Sequence, residues 1–448
     1  MRKSPSLYIS RKRKQKKSYA SNFALMKSKN KNPLWLAAVS IFFSATPAFI
    51  SAQTQNLTPA QTLITPTGED SLTQGVAKSK TVLSGYGSAY YQHNRNEQKS
   101  FVTLERFVFF IGHQFNNKIA FFSETEIEDA KIEGGEPGGE IALEQAFLRF
   151  KFNPKQYLVA GLFTPRIGLL NENHLPVNFN GVERPIVEQL VIPATWRELG
   201  VGFYGELRRI PLSYSIGVLN GLNSEAFRHG SGIREGRAEG DFAPANNLAV
   251  TAAVQYFYKD FKFQISGYVS GTTPFGKRAA DSLQLESGAF GAPVYLSEID
   301  YQYAKNGFTS KGIFTYVSYP QASIINRVFA SNAPAGMYGS YVEVGYNLLE
   351  HAKNKTFQPQ QLNAFARYEI LDLNQSIPDN GVYDGTVKQD HLIVGLGYLP
   401  IPNVVIKADV RLLHTGPANP DLDANPDPVE LPYRRNNSFI NLGIGWSF

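Results

Sequence analysis

Residues 164–199 combine Arg166, Arg184 and Arg197 with Glu172, Glu183, Glu188 and Glu198, and add a single histidine, His174. Charges of both signs held across a water-filled gap set up a transverse field that sorts charged solutes. The same stretch carries Pro165, Pro176, Pro185 and Pro193, each of which fixes φ and stiffens the chain. It also carries Trp196 and several Ile, Leu and Val side chains, which an exposed flexible loop does not need. We therefore expect this segment to fold inward against a wall and narrow a passage. The plainer alternative is a loop that caps the outside and packs on its neighbours.

Other constellations point to less. In Glu124-Thr125-Glu126-Ile127-Glu128-Asp129, carboxylates spaced by two share one strand face. Such a row binds Ca²⁺ in some settings, but here it is read as the solvated acidic wall of a lumen. His174 and His391 stand alone among seven histidines, and neither shows zinc-ligand spacing. No metal or cofactor is therefore expected. Gly134-Gly135-Glu136-Pro137-Gly138-Gly139 lacks the lysine and following helix of a phosphate cradle and reads as a surface loop. Serine and histidine are present, but no spacing brings nucleophile, base and orienting acid together. A hydrolase embedded in a barrel stays an alternative; the expectation is no enzyme. With no cysteine in the chain, neither disulfides nor thiolate metal sites arise.

The elements that must position these residues repeat with a period of two, one apolar face and one polar face along each strand. We place strands near 82–92, 100–114, 117–128, 141–152, 155–163, 200–208, 211–219, 247–258, 261–270, 292–304, 307–319, 336–349, 360–371, 388–399, 402–413 and 437–448. Several have clear faces. Val404, Ile406, Ala408, Val410 and Leu412 oppose Lys407, Asp409 and Arg411; Leu362, Ala364, Ala366, Tyr368 and Ile370 oppose Arg367 and Glu369; Ile119, Phe121 and Ile127 oppose Glu124, Glu126 and Glu128. The apolar sets are expected to face lipid and the charged sets to line the lumen.

Connector lengths supply a second test. Every other connection is short (Phe115-Asn116, Asn153-Pro154, Arg209-Ile210, Asp260, Lys305 to Gly307, Pro400-Ile401) and those between are mostly long. Membrane barrels have short turns at one end and long loops at the other; a soluble sandwich has no such rule. The expected fold is thus a transmembrane antiparallel β-barrel of about sixteen strands over 80–448, with the third long loop, 164–199, folded into its lumen. Three features resist. The turn 350–359 is too long, which a clipped strand would explain. Glu105 and Arg106 are adjacent, so strict alternation turns one charge outward, and 292–304 and 307–319 alternate poorly. In 437–448, Ile440, Leu442, Ile444, Trp446 and Phe448 share one parity. That strand, with Trp446 and a closing Phe448, looks like the signal read by the barrel-assembly machinery of bacterial outer membranes.

Bulk properties agree. Aromatics reach 13%, with 23 Tyr and 31 Phe, as interfacial girdles require. Mean hydropathy is only -0.24 because half of each barrel strand faces water. Of 44 Lys and Arg, eleven lie in residues 1–52, which hold no acid; the remaining 33 face 38 Asp and Glu. The +6 formal charge therefore belongs to the leading segment, and nucleic-acid binding loses its support. The apolar run Leu34 to Phe43, after Lys27, Lys29 and Lys31, has secretory-signal length and is too short to span a membrane. Residues 1–52 are read as a signal peptide cut after Ala52, with Met26 as an alternative start. Residues 53–79, polar and without periodicity, are read as a flexible periplasmic segment too small for the plug domain of an energised transporter.

The stretch 164–199, with Ala142-Leu143-Glu144-Gln145-Ala146 before it and Gly200-Val201-Gly202 after it, resembles the porins of Bacteroidetes outer membranes, a group related to the phosphate-selective porins O and P. The resemblance continues through Phe365-Ala366-Arg367-Tyr368-Glu369 and Val405-Ile406-Lys407-Ala408-Asp409 and covers most of the barrel. It implies an outer-membrane location, outer-membrane lipid as a partner, a homotrimer, and anion or phosphate preference carried by Arg166, Arg184, Arg197, Arg367, Lys407 and Arg411. Against those cations stand Glu172, Glu183, Glu188, Glu198, Glu369, Asp409 and the Glu124, Glu126 and Glu128 row. Such a mixed lumen favours passive diffusion of small hydrophilic solutes or ions. A plugged structural or adhesive barrel is the other alternative.

Overall fold

The computed structural model describes residues 56–64, 80–129, 139–207, 209–243, 245–272, 291–352, 359–422 and 433–448. The segment expected to be a signal peptide, residues 65–79 and the glycine-rich run up to Gly138 lie outside these. Sixteen strands follow in order: β1 (Lys80–Asn94), β2 (Lys99–Gln114), β3 (Ile119–Glu128), β4 (Glu140–Asn153), β5 (Gln156–Phe163), β6 (Glu198–Glu206), β7 (Leu212–Asn220), β8 (Leu248–Tyr258), β9 (Phe261–Ser270), β10 (Val294–Lys305), β11 (Phe308–Ser318), β12 (Gly336–Asn347), β13 (Gln361–Ser376), β14 (Lys388–Ile401), β15 (Val404–Thr415) and β16 (Asn436–Ser447). Every expected strand is present, with ends within two residues except at β13, which runs on to Ser376.

Each strand pairs antiparallel with its sequence neighbours, and β1 pairs with β16, so the sheet closes into one barrel. Closure removes the unpaired edges of an open sheet. At the seam the Gly85 N–H donates to the Phe448 carbonyl and the Phe448 N–H to the Gly85 carbonyl, both at 2.9 Å.

Side-chain direction follows the expected parity. Ile265 is 63% exposed and Tyr368 53%, both on the outer face, whereas Asn441 on the lumen face is 1% exposed. Val342, Val394, Ile406, Val410, Leu442 and Ile444 extend this outward apolar surface around the wall. The weak alternation of β10 and β11 has a plain cause. Their lumen face carries Val294, Leu296, Ile313 and Val317 beside Glu298 and Asp300, all buried, because protein rather than water covers it. A uniformly polar inner face is therefore not required there.

The Glu105–Arg106 conflict is resolved by backbone. Register slips between Ser88 and Tyr90, so that Ser88 faces Arg106 and Tyr90 faces Thr103. This β-bulge on β2 re-aims one residue. Both charges consequently turn inward, with Arg106 Nη2 3.1 Å from Glu105 Oε1 and Arg106 Nη1 2.9 Å from Glu126 Oε1. A second slip, between Glu124 and Thr125 opposite Gln145 and Leu143, leaves Glu144 as the extra residue of β4. Glu144 and Gln145 are both buried in the lumen as a result.

The long connection after β12 is real rather than a clipped strand, since β12 stops at Asn347 and β13 starts at Gln361. The segment before β1, read as a flexible periplasmic segment without periodicity, carries regular structure over part of its length. Residues Pro59–Ile64 form a short helix, α1, inside the barrel at the short-turn end. Ala60 N–H donates to Ser84 Oγ at 3.1 Å, and Arg149 Nη1 donates to the Ile64 carbonyl at 2.5 Å. Six residues are too few to register as helical periodicity. It is the wall that holds them.

Candidate functional site: a lumen crossed by a docked loop

The connection between β5 and β6 leaves the wall after Phe163, crosses the lumen and returns at Glu198. It contains a 3-10 turn, Pro176–Asn178, and one turn of helix, α2 (Val187–Leu190). Asn171 stabilises its two ends: Nδ2 donates to the carbonyls of Pro165 and Trp196 at 2.8 and 3.0 Å, and Oδ1 accepts from Trp196 N–H at 2.6 Å. Ile167, Leu175, Val187, Val191, Ile192 and Trp196 are buried. This apolar payload explains why the loop leaves solvent and lies in the barrel.

On the far wall the loop is held by charge. Arg367 (β13) bonds Glu343 at 3.0 Å, Glu369 at 2.8 Å and the Asn180 carbonyl at 3.1 Å. Lys407 Nζ (β15) donates to the Phe179 carbonyl at 2.9 Å, and Arg411 Nη1 lies 2.9 Å from Glu183 Oε2. Carboxylates accept loop N–H groups in return: Val182 to Asp409 at 2.6 Å and Val187 to Glu369 at 3.0 Å. Of the cations nominated as a solute track, Arg367 and Lys407 are buried and Arg411 is partly buried, and all three hold the loop.

Other expected constriction residues divide between scaffold and opening. Glu188 is fully buried; its Oε2 accepts from the N–H groups of Leu169 and Leu170 at 2.8 Å each, and its Oε1 from Tyr341 OH at 2.6 Å. Glu198, the first residue of β6, accepts from Trp196 Nε1 and Asn220 Nδ2. These two differ from the expectation: protein surrounds them, and they fix the loop's shape. Arg184 is buried beside the Ala194 carbonyl, and Arg197 pairs with Glu239 at 2.7 Å. Arg166 and Glu172 pair at 2.7 Å on the wall of a cavity of about 620 Å³ at the short-turn end. A second cavity of about 470 Å³ borders Leu169, Leu170, Phe179, Lys311 and Glu343.

Near β3 and β4 the acidic wall is covered rather than solvated. His174 Nε2 lies 3.1 Å from Glu124 Oε1 and 3.6 Å from Glu144 Oε2. Gln145 Nε2 donates to Glu124 Oε2 at 2.6 Å, and Thr195 Oγ1 donates to Glu144 Oε1. Glu126 is taken by Arg106, while Glu128, at the strand end, is exposed. Sequence reasoning missed Glu144 as a lumen group. The available signal was Glu144-Gln145, two polar neighbours inside an alternating strand.

At the long-loop end, helix α3 (Ala322–Phe329) and its neighbours bury Phe227, Ile233, Tyr319, Ile325 and Met337. His229 Nε2 lies 2.9 Å from Asp384 Oδ2, and Asn332 Nδ2 donates to the Val382 carbonyl at 2.9 Å. Partial burial raises the Asp384 carboxyl, but donors from Thr386 and His229 outweigh it and hold the group below its ordinary range.

Fold and contents define a closed sixteen-strand antiparallel barrel whose lumen is crossed by a docked loop. The chain belongs to the same family as an uncharacterized protein of Aquifex aeolicus (strain VF5), to which it is 32% identical over 346 residues, covering 74% of this chain and 75% of that one. No protein-family model matches. Among solved structures, the outer membrane channel DcaP of Acinetobacter baumannii is similar with TM-score 0.49 and 11% identity, over 83% of this chain and 97% of that one. The anion-selective porin from Comamonas acidovorans gives 0.48 and 9%, over 83% and 100%. Salmonella typhi OmpF gives 0.49 and 12%, over 84% and 100%. These likenesses are partial, and the barrel stands on its own strand pairing.

Proposed function

We propose that this chain is a non-catalytic porin, a passive channel for small hydrophilic solutes or ions across the outer membrane of a Gram-negative bacterium. One observation carries the reading: an apolar exterior and a charged interior share the same strands, and a docked loop narrows the lumen between them. The finer reading is a modest anion bias. Arg149, Lys155, Arg166 and Lys262 outnumber Glu172, Glu206 and Asp260 around the larger cavity. Pairing of Arg367, Lys407 and Arg411 with the loop speaks against a continuous phosphate track, so the resemblance to phosphate-selective porins is carried no further than charge sign. Trimeric assembly belongs to the proposal by resemblance and is read by native mass spectrometry.

A second reading has its own support. The ring ladder Tyr86, Phe110, Phe122 and Phe147, in one buried cluster with Ala60 of α1, suits, with the apolar cover of the long loops, a plugged barrel of structural or adhesive role. Planar bilayers separate the two: stepwise ohmic currents are expected for the channel, and silence at all voltages would assign the plug. Reversal potentials in a salt gradient then read ion preference.

Membrane immersion of the wall has a direct test. Ile265 lies mid-strand on the outer face, so Ile265→Arg is expected to cost about 2–4 kcal/mol of folding free energy in lipid vesicles. Unchanged stability would mean that this face does not meet hydrocarbon.

A further inference from the structure

We propose that Glu124, Glu144 and His174 form a binding site for a divalent transition-metal ion of the zinc class, tying the lumen loop to the β3–β4 wall. The candidate ligand atoms all lie within 4.8 Å of one another, with Nε2 to carboxylate separations of 3.1 and 3.6 Å. A tetrahedral ion with bonds near 2.1 Å sets ligand-to-ligand edges of about 3.4 Å. The two measured edges bracket that value.

An independent observation points the same way. Glu144 Oε2 faces His174 Nε2 at 3.6 Å from a side chain only 1% exposed and has no hydrogen-bond partner within 3.5 Å among the described residues. A buried carboxylate oxygen without a donor is costly, and a metal ion supplies the missing charge. Tyr86 OH is also buried without a partner among the described residues, and the Tyr86 ring meets His174 edge-on at 5.8 Å. That contact orients the imidazole.

The chain departs from regular structure to assemble these groups. Glu144 reaches the lumen because of the β4 bulge, a device that re-aims side chains at functional sites. The outer oxygens are held by Gln145, by Thr195 and by Arg197 Nη1 at 3.5 Å, the supporting contacts that metal ligands require. Two carboxylates with one imidazole suit zinc and its neighbours; Ca²⁺ and Mg²⁺ prefer more oxygen ligands and no nitrogen. Three protein ligands leave a fourth position open.

The test uses the full chain, without a histidine tag, folded in detergent micelles and stripped with a chelator. After addition of Zn²⁺ and desalting, elemental analysis is expected to find about one metal per chain. Co²⁺ should give visible d–d bands of tetrahedral strength. His174→Ala and Glu144→Gln should each weaken binding at least about tenfold, while His113→Ala should not. Heat-modifiable gel mobility checks that each variant folds, and Glu124→Gln replaces any that does not. Wild-type chain retaining no more metal than His174→Ala would overturn the proposal. Conductance plays no part in this readout, so a silent bilayer bears only on the channel.

Discussion

Arg367→Ala lowers the unfolding free energy of the barrel by about 3–5 kcal/mol, the cost of breaking a buried charge network from one side. The guanidinium lies between Glu343 and Glu369, and the three side chains are 2%, 3% and 0% exposed. Lys311 Nζ, 3.2 Å from Glu343 Oε1, compensates one carboxylate in part and leaves Glu369 without a cation. The Asn180 carbonyl also loses its donor, so the loop loosens where it crosses to the far wall, held there by Lys407 and Asp409. Arg367→Lys keeps the charge but not the planar fork and falls between the two. Denaturant titration in lipid vesicles measures the change, and Trp196 fluorescence in a Trp35→Phe/Trp446→Phe background reports the loop itself. A loss below about 1 kcal/mol, typical of a solvated pair, would show that the Arg367 network does not dock the loop.

Deleting residues 53–79 while keeping 1–52 opens the short-turn end of the lumen. Ala60 is fully buried there, and Leu63 lies against Gly112, where an added Cβ would come within 3.0 Å. Asn56 fastens the same segment to the loop: its N–H donates to Asn178 Oδ1 at 3.0 Å and its carbonyl accepts from Asn173 and Asn178. Because the chain has no cysteine, Ser84→Cys introduces a unique thiol under α1. Its reaction with a water-soluble maleimide should accelerate at least about tenfold in the deletion variant, and single-channel conductance should rise with it. Equal labelling rates in both backgrounds would show that α1 does not seal this surface.

The two effects bear on different halves of one obstruction. Arg367 and its partners hold the loop against the far wall by charge, whereas α1 fills the near side through apolar contact with β1 and β2. Salt should weaken neither strongly, since buried pairs are little screened.

The amino-acid order by itself determined the strand number, the strand limits except the end of β13, the alternation of short and long connections except at 350–359, and which face of most strands is apolar. Those are local consequences of a two-residue period, which most strands carry in full and 292–304 and 307–319 carry weakly. It also singled out residues 164–199, because proline, tryptophan and paired charges are anomalous in an exposed loop. Tertiary structure alone decided what the inward charges do. Arg367, Lys407 and Arg411 read identically whether they face water or a docked loop, since parity gives direction and not occupant. The inward turn of Glu105, Arg106, Glu144 and Gln145 depends on bulges set by register between two strands, which no single strand encodes. His174 meets Glu124 and Glu144 across 50 and 30 positions of chain only once the barrel has closed around it.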